Sequence, residues 1–301
     1  MSQGQPAGPV LTFRRYAVVY LDLLGHKERL RQWNKLPGTK EEQEAFNKKL
    51  QTTVGPVTFL REKFVEHFDL YRRPLDPNEL LRVGLTECQA AAWLRIEEVQ
   101  PKWTFFSDSF IFCCPLENSA GDPAIRALHL MLRASAIVMP VCLASENPLR
   151  GGIGVGLATE LPCTGDVYGP ALVEAHELEA ETAQYPRIAV GKAVHEFIED
   201  VCGSGAQDDR GIALKRIAED CSRLICTDRD DGVPMVDFLG EYMLSFYKEM
   251  QCVKTFRTIR KAIEYVKEKH QRFKQQGNRK MALRYGRLSA YCSSREHLWR
   301  H

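Results

Sequence analysis

Two aspartates stand where the surrounding sequence is apolar enough to be buried. Asp22 lies in "AVVYLDLLGHKERL" (17–30), where Ala17 to Leu21 read as a buried strand that Leu23 and Leu24 continue. An ionised carboxylate in such surroundings is costly unless something positive compensates it. A helix N-cap is the other use for an Asp here, but Gly25 separates it from the helical-looking "HKERLRQW". Asp108 repeats the puzzle in "FFSDSFIF", an acid at the bend of a hydrophobic hairpin, where a turn Asp bonding its own backbone is the alternative. Acids at strand ends of one sheet can converge, and two close carboxylates repel unless a proton or cations sit between them. Two divalent metals bridged by two aspartates serve in-line attack on phosphorus. A carboxylate dyad for glycoside hydrolysis is the other chemistry open to such a pair, and nothing around it resembles a sugar cleft.

The elements that must position these acids follow from periodicity. After the first strand, "EEQEAFNKKLQTTVGPVTFLREKFVEHFDLY" has helical spacing through Phe46, Leu50, Val54 and Val57, with Gly55-Pro56 expected to bend or interrupt it. "RRPLDPNELLRVG" reads as a loop, and Leu94 to Val99 as a strand or short helix. "KWTFFSDSFIFCCPL" predicts a hairpin about its Ser-Asp-Ser turn. "DPAIRALHLMLRASAIVMPVCLAS" predicts a helix capped by Asp122 with Pro123 at its first position. A glycine-spaced strand, "LRGGIGVGLAT", precedes a turn and helix, "GDVYGPALVEAHELEAETA", then the strand "PRIAVG" and the helix "KAVHEFIEDV". The alternation predicts an α/β or α+β sandwich with helices packed on one sheet. Beyond residue 200, "SRLICTDRDDGVPMVDFL" reads as a hairpin turning near Asp231-Gly232, followed by helices through "TIRKAIEYVKEKHQRFKQQ" and "RKMALRYGRLSAYC". Tyr247, Phe256, Ile259, Ile263 and Val266 recur at helical spacing, for packing against the sheet or a partner chain.

Bulk properties narrow the classes. The 301 residues are 44% hydrophobic and 27% charged, as in an ordinary globular protein, and the formal charge of +2 implies no polyanion-binding field. The basic run from Lys267 to Lys280 lacks the interleaved aromatics of a single-strand binder, so it reads as a solvated helix face and no nucleic-acid partner is expected. "MSQGQPAGPV" lacks the apolar core of a signal peptide, and the apolar stretch "ASAIVMPVCLA" is too short for a bilayer and holds Pro140. Of ten cysteines only Cys113 and Cys114 are close neighbours and none forms a C-x-x-C pair, so free thiols, a cytoplasmic location and no membrane association are expected.

The motifs, taken in order, resemble the class III nucleotide cyclases. "YLDLLG" is similar to their first metal strand, "FFSDS" to the hairpin with the second metal Asp, and "RGGIGVG" to the strand with a phosphate-binding Arg. "GDVYGPALVEAHELE" is similar to the turn and helix that close the site. The variants "YLDLLGHKE", "FSDSFIF", "RGGI" and "YGPALVEAHELE…YPRI" resemble most the bacterial pyrimidine cyclases of Pycsar antiphage systems, over residues 16 to 190. The resemblance implies the α+β class, with a ferredoxin-like, class III cyclase-like sheet in a catalytic domain at 16–200. A flexible N-terminus would span 1–15, and a C-terminal β-hairpin and helical extension 201–301. It implies conversion of UTP, or otherwise CTP, to a 3′,5′-cyclic mononucleotide and pyrophosphate by a homodimer with sites at its interface. The product would be a second messenger for a separate cyclic-nucleotide-activated effector in antiphage defence.

Carried over residue by residue, Asp22 and Asp108 would hold two Mn²⁺ or Mg²⁺ ions, with the Leu23 carbonyl as a further ligand. Arg150 would contact the β/γ-phosphates, a salt bridge holding the strand being its structural alternative. Backbone amides of Leu23, Leu24, Gly25 and His26 would cradle the triphosphate. The ribose 3′-oxygen would attack the α-phosphorus. Two departures bear on substrate. Purine cyclases place an Asn-x-x-x-Arg pair on the helix at Val173–Leu178, where this chain has Val173, Glu174, His176, Glu177 and Leu178. The adenine-selecting Lys four residues before the second metal Asp is Thr104 here, while its partner acid matches Asp166. Losing the Lys argues against ATP; Tyr20, Phe105 and Phe106 offer aromatic surface to fill a pocket around a smaller base, and Asp166 could accept the cytosine amino group. A catalytically silent cyclase-like module, or a purine cyclase, is the alternative reading.

Overall fold

The computed structural model describes residues 11–26, 31, 35–72, 86–95, 99–118, 121–162, 164–205, 207–250 and 253–300. Most of "HKERLRQW", nearly all of the segment expected as a loop (72–84) and residues 1–10 of the N-terminus therefore lie outside the described residues, as do 96–98 between Leu94 and Val99. The chain is α+β.

Its centre is β1 (Arg14–Leu23), whose apolar run is hydrogen-bonded on both sides. Next come α1 (Lys40–Arg72), α2 (Glu87–Leu94), the hairpin β2 (Lys102–Phe106) and β3 (Ser109–Pro115), α3 (Ile125–Ala144) and β4 (Leu149–Glu160). The strands order as β2-β3-β1-β4, neighbours antiparallel, which makes this half a split βαβ arrangement. A short strand β5 (Val167–Tyr168) pairs with the end of β4 and leads into α4 (Pro170–Glu177), which a π-helical turn (Leu178–Thr182) prolongs. Then β6 (Ile188–Val190) joins β4 in parallel, and β8 (Pro234–Val236) and β7 (Ile225–Thr227) extend the sheet beyond it, after α5 (Lys192–Gly203) and α6 (Asp209–Arg223). Three helices close the chain: α7 (Glu241–Glu249), α8 (Val253–Gln275) and α9 (Arg279–Arg295).

The period-2 alternation of β1 divides two environments. Ala17, Val19, Leu21 and Leu23 join Phe110 and Phe112 of β3 in the main core. There Phe64 and Phe68 of α1 lie 4.6–5.2 Å, ring to ring, from those phenylalanines, each burial contributing about 2–3 kcal/mol. Tyr16 and Val18 face the opposite side, where only a small cluster with Ala171 and Ala175 of α4 covers the sheet. Gly152, Gly154 and Gly156 make that close approach feasible. A Cβ on Gly152 would stand 2.2 Å from the Ala175 carbonyl oxygen, and one on Gly156 3.2 Å from the Ala171 nitrogen. Over β2 and β3 this second face is open, with Thr104 and Phe106 exposed.

Four expectations change. The helix runs unbroken through Gly55-Pro56, because the Leu60, Phe64 and Phe68 stripe locks its second half onto the core and an interior Pro costs it one hydrogen bond. Asp122 does not cap α3: it bonds Asn118 and pairs with Arg210 of α6, while Pro123 bridges to Glu117 and the helix starts after Ala124. α6 was not expected; Asp208 caps it by accepting from the Gly211 amide (2.8 Å), and Ala213, Ile217, Ala218 and Cys221 face inward. α3 is longer than its apolar core stretch and, among the described residues, is the one helix of membrane-spanning length and apolarity; 83% of that window is buried inside the protein. The C-terminal helices share the main core, with Ile259, Ile263 and Val266 buried and α8 packed on α3 of the same chain.

Candidate active site

β1 ends where its apolar run meets Leu24-Gly25, and Gly25 takes φ +85°, a left-handed conformation that Gly enters at little cost. That turn leaves Asp22 one residue from the end of the strand, on the open face. The β2–β3 hairpin brings Asp108 to the same end: Ser107 holds φ +59° and Asp108 completes the two-residue turn. Cross-strand register then does the rest. Phe106, Ser109, Asp22 and Arg150 stand opposite one another on β2, β3, β1 and β4, forming one row across the sheet. Directly opposed residues share a face, so the row sets Asp22 beside Arg150, while the turn just before Ser109 carries Asp108 at the same end of the sheet.

Within the row the Ser109 hydroxyl donates to Asp22 Oδ1 (3.2 Å), and Arg150 Nη2 lies 3.9 Å from Asp22 Oδ2. A third carboxylate enters from the π-helical turn: Glu179, 3% exposed, forms an ion pair with Arg150 Nε. Asp22 titrates near 6, raised first by burial and then by the charges of Glu179 and Asp108, with Arg150 and Ser109 only partly offsetting them. Glu179 is likewise raised by burial, against the opposing pull of Arg150. Tyr20, edge-on to His176 at 5.1 Å, has its hydroxyl pushed up by burial, with Asp22, Glu179 and Asp108 adding to it. The cluster therefore holds more negative charge than Arg150 neutralises.

The other expected residues divide. Thr104 stands opposite Ile111, itself opposite Tyr20, one row inward of Phe106 on the same face; Phe106 is 75% exposed beside the Ser109 end. Leu23 is paired with Leu149 in the ladder, and Gly25 and buried His26 follow at the turn. The Leu24 amide donates to the Pro148 carbonyl (2.8 Å), so it serves the sheet and cannot join a phosphate cradle. Phe105 faces the helices, stacked on Phe110 beneath Arg61, and lines no base pocket on the open face. Asp166 lies past the far end of β4; the ten residue steps from Arg150 to Glu160 span about 33 Å, so within one chain it is remote from Asp22. Around that far end Lys102 pairs with Glu160 (2.6 Å), which also accepts from the Tyr16 hydroxyl (3.0 Å).

On α4 there is neither Asn nor Arg. Val173 is exposed, and the Glu174 carboxylate accepts from the Val155 amide (3.2 Å), a structural use. Glu179 escaped the sequence reading because its charge and its place in a polar "ELEAET" run give it an exposed profile; the widened turn is what points it inward. Among the described residues no three His, Cys, Asp or Glu side chains form a ready-made metal cage. The eight described cysteines are free thiols. No protein-family model matches this chain, and no curated protein does either.

Proposed function

We propose that this chain is a nucleotide cyclase of the class III type, converting a pyrimidine nucleoside triphosphate, UTP ahead of CTP, to its 3′,5′-cyclic mononucleotide and pyrophosphate. The observation that carries the reading is the cross-strand row that joins Asp22, Arg150 and the Asp108 turn at the open end of a split βαβ sheet. The donor set fits divalent cations. Asp22 and Asp108 offer hard oxygens, and Asp22, whose pKa is raised first by burial and then by Glu179 and Asp108, is a carboxylate that a cation would stabilise in its ionised form. Mn²⁺ or Mg²⁺ held by Asp22, Asp108 and the Leu23 carbonyl would supply the positive charge that in-line displacement at phosphorus needs. Further ligands would come from phosphate oxygens and water.

The chain's own groups have separate tasks. Arg150 binds the polyphosphate by its Nη end, where a planar guanidinium holds phosphate oxygens in pairs. Gly25 and His26 would present backbone amides at the turn that ends β1. Tyr20, Thr104 and Phe106 form the wall of the open face on which a base would rest. Asp166 lies too far from Asp22 to serve the same bound nucleotide within one chain, which is the reason to read the protein as a two-fold homodimer closed over this face. Thr104 in place of a Lys puts no long cation at that position, the nearby Lys102 being paired with Glu160, and polar groups that one base satisfies and another leaves unpaired give strong selectivity. The product would signal to a separate effector, as in the antiphage systems that the motifs resemble.

A second reading, a silent nucleotide-binding module, is favoured by the absence of Asn and Arg on α4. One experiment separates the two: purified protein with Mn²⁺ and each of the four nucleoside triphosphates, assayed for cyclic nucleotide and pyrophosphate. Cyclic UMP or CMP in excess of the purine products supports the cyclase; nucleotide binding without any cyclic product supports the silent module.

A further inference from the structure

We propose that Glu179 is a positioning residue for Arg150, gripping its Nε edge so that the Nη end stays aimed at the polyphosphate seat beside Asp22. The inference rests on the reading of Arg150 as a polyphosphate ligand and extends it to the residue that ends the segment "GDVYGPALVEAHELE", to which the resemblance assigns no role.

Three features place Glu179 where it is. The α4 helix widens into a π turn, closed by the Ala183 amide on the Leu178 carbonyl (2.7 Å). Such single π turns occur frequently at functional sites. Arg187, 1% exposed, donates from Nη2 to the Thr182 carbonyl (2.7 Å), and its own charge is fixed by Asp228 and Asp231 at 2.8 Å each. Gly152 lets the turn descend onto β4: a Cβ there would meet the Leu178 Cβ at 2.6 Å and the Glu179 nitrogen at 2.9 Å. The result is a buried carboxylate, in an environment that raises its pKa, whose ion-pair partner is Arg150.

Burying an acid beside an anion-binding arginine makes little sense as charge tuning, because the acid repels the anion. It does make sense as geometry. Glu179 takes the Nε edge and Arg150 Nη2 points towards Asp22, so the face left for phosphate is set before a ligand arrives. An arginine already held in one rotamer loses less freedom on binding than a free one.

The test is a double-mutant cycle read by calorimetric titration with magnesium tripolyphosphate, which needs no turnover. Wild type, Arg150→Met, Glu179→Gln and the double variant are compared, folding being checked by circular dichroism. The repulsion between Glu179 and the ligand is common to both Arg150 backgrounds and cancels in the cycle. Arg150→Met is expected to weaken binding roughly 30-fold with Glu179 present and only about 3-fold with Gln at 179. Equal losses in both backgrounds would overturn the proposal, as would a wild-type protein that does not bind tripolyphosphate. Should Glu179→Gln not fold, Glu179→Asp, which keeps the charge on a shorter stem, must show a reduced Arg150 effect. A wild type that shows the coupling yet cyclises no nucleotide would sink the cyclase reading and leave the role of Glu179 standing.

Discussion

An acid in an apolar strand is explained by what surrounds it: Asp22 is largely buried, touches Ser109 and Arg150, and feels the charges of Glu179 and Asp108. Its folded pKa, about 6, lies above the ordinary carboxylate value, so the ionised form is disfavoured in the folded protein. Relative stability from this group is thus present at low pH and lost as pH rises through 6. Asp22→Asn, which removes the charge and keeps the shape, is expected to abolish cyclic nucleotide formation and to stabilise the fold at pH 7.5 by about 1–2 kcal/mol. Urea unfolding beside the activity assay reads both; a destabilised or fully active variant contradicts the reading. His129 behaves oppositely. Fully buried on α3 with Nε2 2.7 Å from the Tyr242 hydroxyl, it titrates well below the ordinary histidine value, because burial, and then Arg133 and Arg126, disfavour its charged form. The unfolded chain takes up that proton first, so stability falls as pH drops below about 6.5, by up to about 1.4 kcal/mol per unit from this group. Unfolding free energies at pH 7.5, 6 and 5 are expected to fall less steeply in His129→Gln; identical slopes would contradict it.

The elements were legible in proportion to how far local pattern decided them. β1, the β2–β3 hairpin, β4 and α4 follow from alternation, from the Ser-Asp turn and from Pro170 opening a helix. The helix through Pro56 and the uncapped start of α3 did not follow, because tertiary partners overrode the local signal: core packing in one case, Arg210 in the other. The glycine spacing of β4 was visible in the sequence, but its purpose depends on what lies above it. Gly152→Ala would drive a methyl into the Ala175 carbonyl and the π turn, and is expected to cost about 2–3 kcal/mol. Gly203→Ala, where nothing lies within 4 Å, serves as the control and is expected to be neutral. Thermal denaturation of the two variants checks this, and equal midpoints would refute the close α4 packing.

For the whole molecule, the sheet has one face sealed by helices and one face half open, with Phe106 three-quarters exposed beside the acidic cluster. In the proposed dimer that residue would be covered by the second copy. Phe106→Glu, a charge introduced into a two-fold contact, is therefore expected to convert a dimer to a monomer in light scattering and to remove activity. A wild type that is monomeric and active at assay concentration would disprove the shared site. The last helices join the main core through Ile259, Ile263, Val266 and Leu288, and Trp299 donates to the Leu239 carbonyl (2.9 Å). They therefore stabilise the sheet-bearing half through α3.

The sequence by itself determined that helices pack on one sheet, that Asp22 sits in a buried strand and that Asp108 sits on a hairpin turn, because alternation and turn chemistry act within a few residues. Only the tertiary structure decided that Ser109, Asp22 and Arg150 share one row, since cross-strand register is set by pairing between distant segments. It alone sent Asp166 to the far end of β4 and tied the Leu24 amide to Pro148. It alone brought in Glu179, for a π turn shifts a side chain by an amount no helical periodicity encodes, and Arg187 with Gly152 holds that shift in place.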